Sequence, residues 1–236
     1  MKIKKIIHPY AWELNQARRD EAIVTNQPIV ERPFWYENTE TGQCYYDLYG
    51  CIGWPTDVSG GRVMPGYVAV VGVVKPKEDG KTLQDVVFQL LAEGESRSVP
   101  AMLEMIVRLR QEYGFGLHPE LLQGWYGDPD RFIMPVALKN ERLTQQGKER
   151  AEILIIPSTD YCNPDAFKDY MHALQGVLVD KRLFFGNCKI LRKHLHAFER
   201  GNPAVMAVGG LVYTLLGHCM WADPSQDAAF VVEEGF

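Results

Sequence analysis

The sequence lacks the long apolar runs and paired cysteines that mark membrane-spanning and disulfide-bonded proteins. No run reaches the roughly eighteen residues that a helix needs to cross a bilayer. The five cysteines are an odd number without a CxxC pair, which favours reduced thiols over a disulfide framework. The basic start, Met1 to Pro9, has no apolar stretch of signal-peptide length. These absences predict a cytoplasmic protein with no membrane partner.

Several catalytic and nucleotide-binding motifs are also missing. The sequence has no GxxxxGK[ST] phosphate loop, no GxSxG nucleophile turn and no GxGxxG dinucleotide fingerprint. The chain therefore carries no NTP-driven motor of the phosphate-loop type. A small-molecule enzyme with a site near Asp128 and His118 is a hypothesis that no motif supports.

Positive charge is in deficit, since 25 Lys and Arg against 30 Asp and Glu give a net charge of −5. Lys and Arg supply non-specific DNA affinity by neutralising phosphates, so the chain as a whole is not a strong nucleic-acid binder. Basic residues do gather in one region: Lys181, Arg182, Lys189, Arg192, Lys193 and Arg200. Among them Lys189, Arg192 and Lys193 are the DNA-binding candidates. The alternative is a solvated helix face.

The composition that is present suits one α/β domain. The 236 residues are 46% hydrophobic and 23% charged. Prolines and clustered aromatic residues predict that 1–40 form an N-terminal arm on the body. We expect the main domain at 41–222 and an acidic tail at 223–236.

Hydrophobic patterning predicts three consecutive strands followed by alternating helices and strands. The strands are predicted at 45–53, 66–74 and 86–93, and the second is apolar on both faces, which is typical of a central strand in a covered sheet. Further strands are predicted at 121–126 and 152–156. Helical periodicity or capping signals indicate helices in these ranges: 101–113, 132–143, 166–179, 190–198 and 203–220.

The resulting order is β-β-β-α-β-α-β-α-α. An antiparallel three-strand meander followed by alternating helices and strands is the order of an RNase H-like fold, with a mixed sheet flanked by helices. Gly209 and Gly210 in the last helix predict close packing against that sheet.

The strand predicted at 121–126 ends in Asp128-Pro129-Asp130. Open α/β sheets place ligands just beyond strand ends, so these acids are candidates for a metal or substrate site. The alternative is a turn with a helix N-cap, because Asp and Pro are common in both. Trp125 and Tyr126 are expected in the core.

Four segments resemble the C-terminal nuclease domain of phage large terminase subunits and related prophage proteins. They are Gly53-Trp54-Pro55, Pro65 to Gly72, Trp125 to Asp130 and Arg182 to Gly186. The resemblance covers roughly residues 40 to 222. It implies a phage- or prophage-encoded protein in a bacterial host cell that cuts double-stranded DNA during genome packaging.

The resemblance also implies a site of two divalent ions, Mg²⁺ or Mn²⁺, held by carboxylates. Carried over by position, Asp47 on the first strand and Asp128 after the fourth are the catalytic and metal-binding residues, with Asp130 as a substitute. The last helix carries an acid-rich stretch in that family, but here 203–210 has none. The nearest acids are Glu199 and Asp223.

Two functions follow from the resemblance. The first is a metal-dependent endonuclease; the second is a catalytically inactive RNase H-like domain that serves as a structural, assembly or DNA-packaging accessory protein. Because the phosphate loop is missing, either would work with a separate terminase ATPase, a small terminase or a portal protein. The two-metal mechanism requires Asp47 and Asp128 to lie close together, and it is disfavoured if Met206 fills the third position.

Overall fold

The described part of the chain combines strands and helices in the α/β architecture that the sequence predicts. The structure, a computed structural model, describes residues 3–7, 34–58, 61–75, 86–115, 124–148, 152–159, 161, 163, 165–196 and 201–217. A mixed sheet forms its centre, and helices cover both faces of that sheet.

The strands of the described residues are numbered in chain order. They are β1 (Ile3–Ile7), β2 (Phe34–Asn38), β3 (Cys44–Gly53), β4 (Thr56–Val58), β5 (Arg62–Met64), β6 (Gly66–Lys75), β7 (Phe88–Ser96), β8 (Trp125–Gly127), β9 (Ile155–Pro157) and β10 (Leu183–Phe184). All except β4 and β5, which form a separate hairpin, belong to the one sheet.

The sheet divides into two branches at β3. One path runs β1-β2-β3-β6-β7-β10, while β8 also pairs with β3 and carries β9 on its outer side. The same edge of β3 pairs with β2 near Tyr45 and with β8 near Gly50 and Cys51. The β3–β8, β8–β9 and β7–β10 pairs are parallel, and the remaining pairs of this sheet are antiparallel.

The central position of β6 confirms what its apolar sequence predicts. It lies between β3 and β7, and its side chains alternate between two buried clusters. Val68 and Val70 belong to one cluster, while Ala69 and Val71 belong to the other. Both faces of this strand are therefore covered, and β-branched residues suit both.

The helices of the described residues are α1 (Val99–Tyr113), α2 (Pro129–Gln145), α3 (Ala166–Val179), α4 (Ile190–His196) and α5 (Pro203–Gly217). Helices α3, α4 and α5 contribute to the cluster on one face of the sheet. Helices α1 and α2 contribute to the cluster on the other face. In the described ranges, every helix is too short or too polar to span a lipid bilayer.

Local signals in the sequence account for the helix ends. The Ser98 side chain accepts a hydrogen bond from the backbone N–H of Ala101, and Pro100 lies in the first turn of α1. Gly114 ends that helix with φ 67°, a left-handed conformation that glycine adopts without steric cost. Helix α3 has the bounds that its pattern predicts.

Some elements differ from the predictions. Strands β1 and β2 lie within the predicted arm and extend the sheet; residues 8–33 lie outside the described residues. Strand β9 starts at Ile155, so the strand predicted at 152–156 is shorter and shifted. Between β3 and β6 the structure adds the β4–β5 hairpin, which is not among the predicted strands.

The glycine pair of α5 packs against another helix rather than against the sheet. A Cβ atom at Gly209 would lie 2.8 Å from the Tyr170 carbonyl oxygen, and one at Gly210 would lie 2.9 Å from the Tyr170 ring. The small residues therefore allow α5 and α3 to approach closely, while α5 as a whole packs on the sheet, as predicted.

Candidate functional site

A cleft of about 270 Å³ opens where β3, β8 and β9 end. The carboxyl ends of these three strands point the same way because β8 is parallel to both neighbours. Residues at the starts of α2, α3 and α5 complete the cleft. Its position is the one that open α/β sheets use for ligands.

Asp128 lies in this cleft and caps helix α2. Its backbone is extended, and one side-chain oxygen accepts a hydrogen bond from the backbone N–H of Asp130 at 3.1 Å. The other oxygen pairs with Nε of Arg131 at 3.1 Å. The capping interpretation of Asp128-Pro129-Asp130 is therefore confirmed, and Asp128 already uses both carboxylate oxygens.

Asp130 is exposed in the first turn of α2. Its carboxylate lies 3.5 Å from the hydroxyl of Tyr161, which lines the cleft. An acid in the first turn also interacts favourably with the helix dipole. The structure thus brings Asp128 and Asp130 together at one helix start.

Asp47 lies elsewhere. It is fully buried on β3, just after an irregularity in the β3–β6 register, and its side chain accepts a hydrogen bond from the Leu48 backbone N–H at 2.8 Å. Gly50 pairs with Trp125, so Asp47 is three positions before this pair and Asp128 three positions after it. Six strand positions separate the carboxylates by roughly 20 Å along the strands.

Helix α5 is the last helix, from which a two-metal site would need its third carboxylate. Pro203 and Met206 of its first turn face the cleft, and Asn202 caps the helix by accepting hydrogen bonds from two backbone N–H groups. The described residues contain no group of three or more His, Cys, Asp or Glu side chains that could hold a metal ion. His118, Glu199 and Asp223 lie outside the described residues.

The DNA-binding candidates form one exposed face. Lys189 precedes α4, and Arg192 and Lys193 lie within it, all exposed. With His196 they follow the spacing i, i+3, i+4, i+7, which places them on one side of the helix. We call these four residues the basic face of α4. The Arg192 guanidinium also lies 5.0 Å from the Phe185 ring centre, and no acidic side chain of the described ranges pairs with the lysines or the arginine.

Two polar groups on β7 hold α4 in place, and the sequence patterns did not reveal either. Glu93 accepts hydrogen bonds from the backbone N–H groups of Ile190 and Leu191 and from the Tyr67 hydroxyl. Burial is the main reason that the pKa of Tyr67 lies well above its usual value, so the phenol remains a donor. Glu93 is 97 residues from Ile190 in sequence, and no local pattern connects residues that far apart.

The second group is Glu95, which contacts His194 of α4, and His194 in turn links α4 to the start of α5. His194 Nε2 lies 3.1 Å from the Glu95 carboxylate, and its Nδ1 lies 2.9 Å from the Asn202 amide nitrogen. Asn202 in turn caps α5, whose first turn lines the cleft. The end of α4 therefore adjoins one wall of the cleft.

Comparison with protein-family models, with curated proteins and with solved structures finds no match to this chain.

Proposed function

We propose that the chain is an RNase H-like domain that binds nucleic acid and does not hydrolyse it by a two-metal mechanism. The strand order supports the fold proposal. Five strands lie side by side in the order β7-β6-β3-β8-β9, and β6 alone runs against the other four. An antiparallel meander extended by parallel strands beside its first strand is the arrangement expected of that fold.

The β3–β8 register is the observation that carries the functional proposal. A two-metal mechanism needs carboxylates that bridge ions roughly 4 Å apart. Asp47 lies roughly 20 Å from Asp128 along the strands, which is far beyond that reach. Asp128 also caps α2 and pairs with Arg131. Of the two functions that the resemblance implies, the accessory protein fits this geometry better.

The basic face of α4 supports the nucleic-acid part of the proposal. Exposed cations one helical turn apart can each neutralise a phosphate, although the whole chain is acidic. Double-stranded DNA is the proposed partner. A separate terminase ATPase, a small terminase or a portal protein would supply the packaging functions that this chain lacks.

A binding experiment tests the role of this face. We expect the Lys189→Glu and Lys193→Glu variants to bind a labelled duplex more weakly, with a salt dependence that is shallower by about one unit per contact removed. Lys148→Glu, which reverses an equally exposed charge beyond α2, is the matched control. Equal affinity in all variants would contradict the proposal.

A cleavage experiment separates the accessory protein from the nuclease. Supercoiled plasmid is incubated with Mn²⁺ and the protein, its Asp128→Ala variant or its Asp47→Asn variant. We expect no nicking by any of them. Nicking by the parent protein that both variants lose would instead establish the nuclease, which the position of Asp128 and Asp130 beside the cleft keeps as the second candidate.

A further inference from the structure

The walls of the cleft are mainly aromatic and apolar. The lining includes Met206 of α5 and four aromatic side chains: Trp54, Tyr161, Phe167 and Tyr170. Trp54 is held in place by an edge contact with Phe132, whose ring centre lies 4.8 Å away. A concave site with aromatic walls and few polar groups is typical of pockets for small planar ligands.

Two polar side chains lie among these apolar groups on the cleft wall. Ser158 lines the cleft with only 4% of its surface exposed, and its hydroxyl can both donate and accept a hydrogen bond. A few polar groups of this kind fix the orientation of a ligand in an otherwise apolar pocket. Asn163 adds an exposed amide at the same rim.

The mouth of the cleft can hold an anionic group. Arg131 lines the cleft, pairs with Asp128 through Nε and has a side chain that is 53% exposed. The first turns of α2, α3 and α5 also lie at the cleft, and each contributes the positive end of a helix dipole. Guanidinium groups bind phosphate and carboxylate groups through charge-assisted hydrogen bonds.

We infer that the cleft binds one nucleotide, with the base between the aromatic walls and the phosphate at Arg131. This inference rests on the proposed function, because a strand held on the basic face of α4 would supply that nucleotide. The link from His194 to Asn202 places the end of α4 beside the cleft wall. Extruded bases are held in this way, by stacking and by a few polar groups at the base edge.

Titration with dAMP, with Trp54 fluorescence as the signal, tests the inference. Stacking on the indole should quench its emission, and Trp54→Phe should retain binding by calorimetry while it loses the quench. Arg131→Ala should weaken dAMP binding about tenfold or more, because it removes a charge-assisted contact. Ser158→Ala should weaken it less. Arg142→Ala, at the far end of the same helix, is the matched control.

Adenosine and inorganic phosphate separate the two parts of the ligand, and each should bind more weakly than dAMP. A short single strand with a 5′-phosphate, compared with its 5′-hydroxyl form, separates a strand end from a free nucleotide. Absence of dAMP binding, or equal binding by Arg131→Ala and the parent protein, would overturn the inference. Ser158→Ala makes this test independent of any folding defect in the arginine variant.

The two proposals fail in different ways. If duplex binding depends on Lys189 and Lys193 but dAMP does not bind, only the nucleotide cleft is wrong. If dAMP binds and depends on Arg131 but no duplex or strand binds, the cleft is a site for free nucleotides. That result would contradict the proposed function and the claim that a bound strand supplies the nucleotide.

Discussion

At the scale of single residues, two glycines should respond to the same substitution in opposite ways. A Cβ atom at Gly53 would lie 2.2 Å from the Pro203 carbonyl oxygen, whereas one at Gly176 of α3 meets nothing within 4 Å. We expect Gly53→Ala to lower the free energy of unfolding by about 3 kcal/mol, since backbone cannot move aside easily. Gly176→Ala should raise it by about 0.5–1 kcal/mol. Urea denaturation measures both, and a neutral Gly53→Ala would contradict the packing described.

Asp128 allows a test of its structural role that is independent of catalysis. Asp128→Ala removes the cap of α2 and should lower the free energy of unfolding by about 1 kcal/mol. Asp128→Asn should stay near the parent value, because asparagine caps helices as well as aspartate does. The same denaturation experiment checks this. Equal losses in both variants would show that the charge pair with Arg131 matters more than the cap.

At the scale of elements, the attachment of α4 should depend on Glu93. Glu93→Ala leaves two backbone N–H groups at the start of α4 and the Tyr67 hydroxyl without their acceptor. We expect this helix to detach locally, at a cost of about 3 kcal/mol. Hydrogen exchange at 190–196 should become fast while α1 stays protected. Unchanged protection of α4 would show that its apolar contacts suffice.

The elements that the sequence predicted are those with strong local signals. Helix α1 has a serine cap, an early proline and a terminal glycine, and β6 has a long β-branched run. Strand β10 has only two residues, and β4 and β5 have three each, so their conformation depends on partners distant in sequence. Short strands of this kind carry too few residues for a periodic pattern.

The site was predicted in part for the same reason. Asp128-Pro129-Asp130 predicts that a helix starts just after a strand ends, and the structure has the strand end at Gly127 and the helix start at Pro129. The separation of Asp47 from Asp128 depends on the register between β3 and β8, which are parallel and far apart in sequence. No pattern within either strand fixes that register. The cleft itself combines segments between Ile52 and Ala207, so its lining required the fold.

At the scale of the whole molecule, stability should fall in alkali. Burial raises the pKa of Tyr45 from 10.0 to about 12 and that of the Cys188 thiol from 9.0 to about 12. Between the lower and higher values the folded protein keeps protons that the unfolded chain has lost, so the free energy of unfolding decreases as pH rises. Urea midpoints from about pH 8 to pH 11 measure the decrease. Tyr45→Phe should flatten the upper part of this curve; the same slope without that phenol would contradict the assignment.

The branching of the sheet at β3 has a consequence for how the protein opens. Because β2 and β8 pair with different stretches of one edge, the β1–β2 pair and the β8–β9 pair share no hydrogen bonds with each other. Either pair can separate from β3 without breaking the other. Native-state exchange should therefore resolve two independent opening units on this side of the sheet, and only the unit with β8 and β9 would carry the cleft with it.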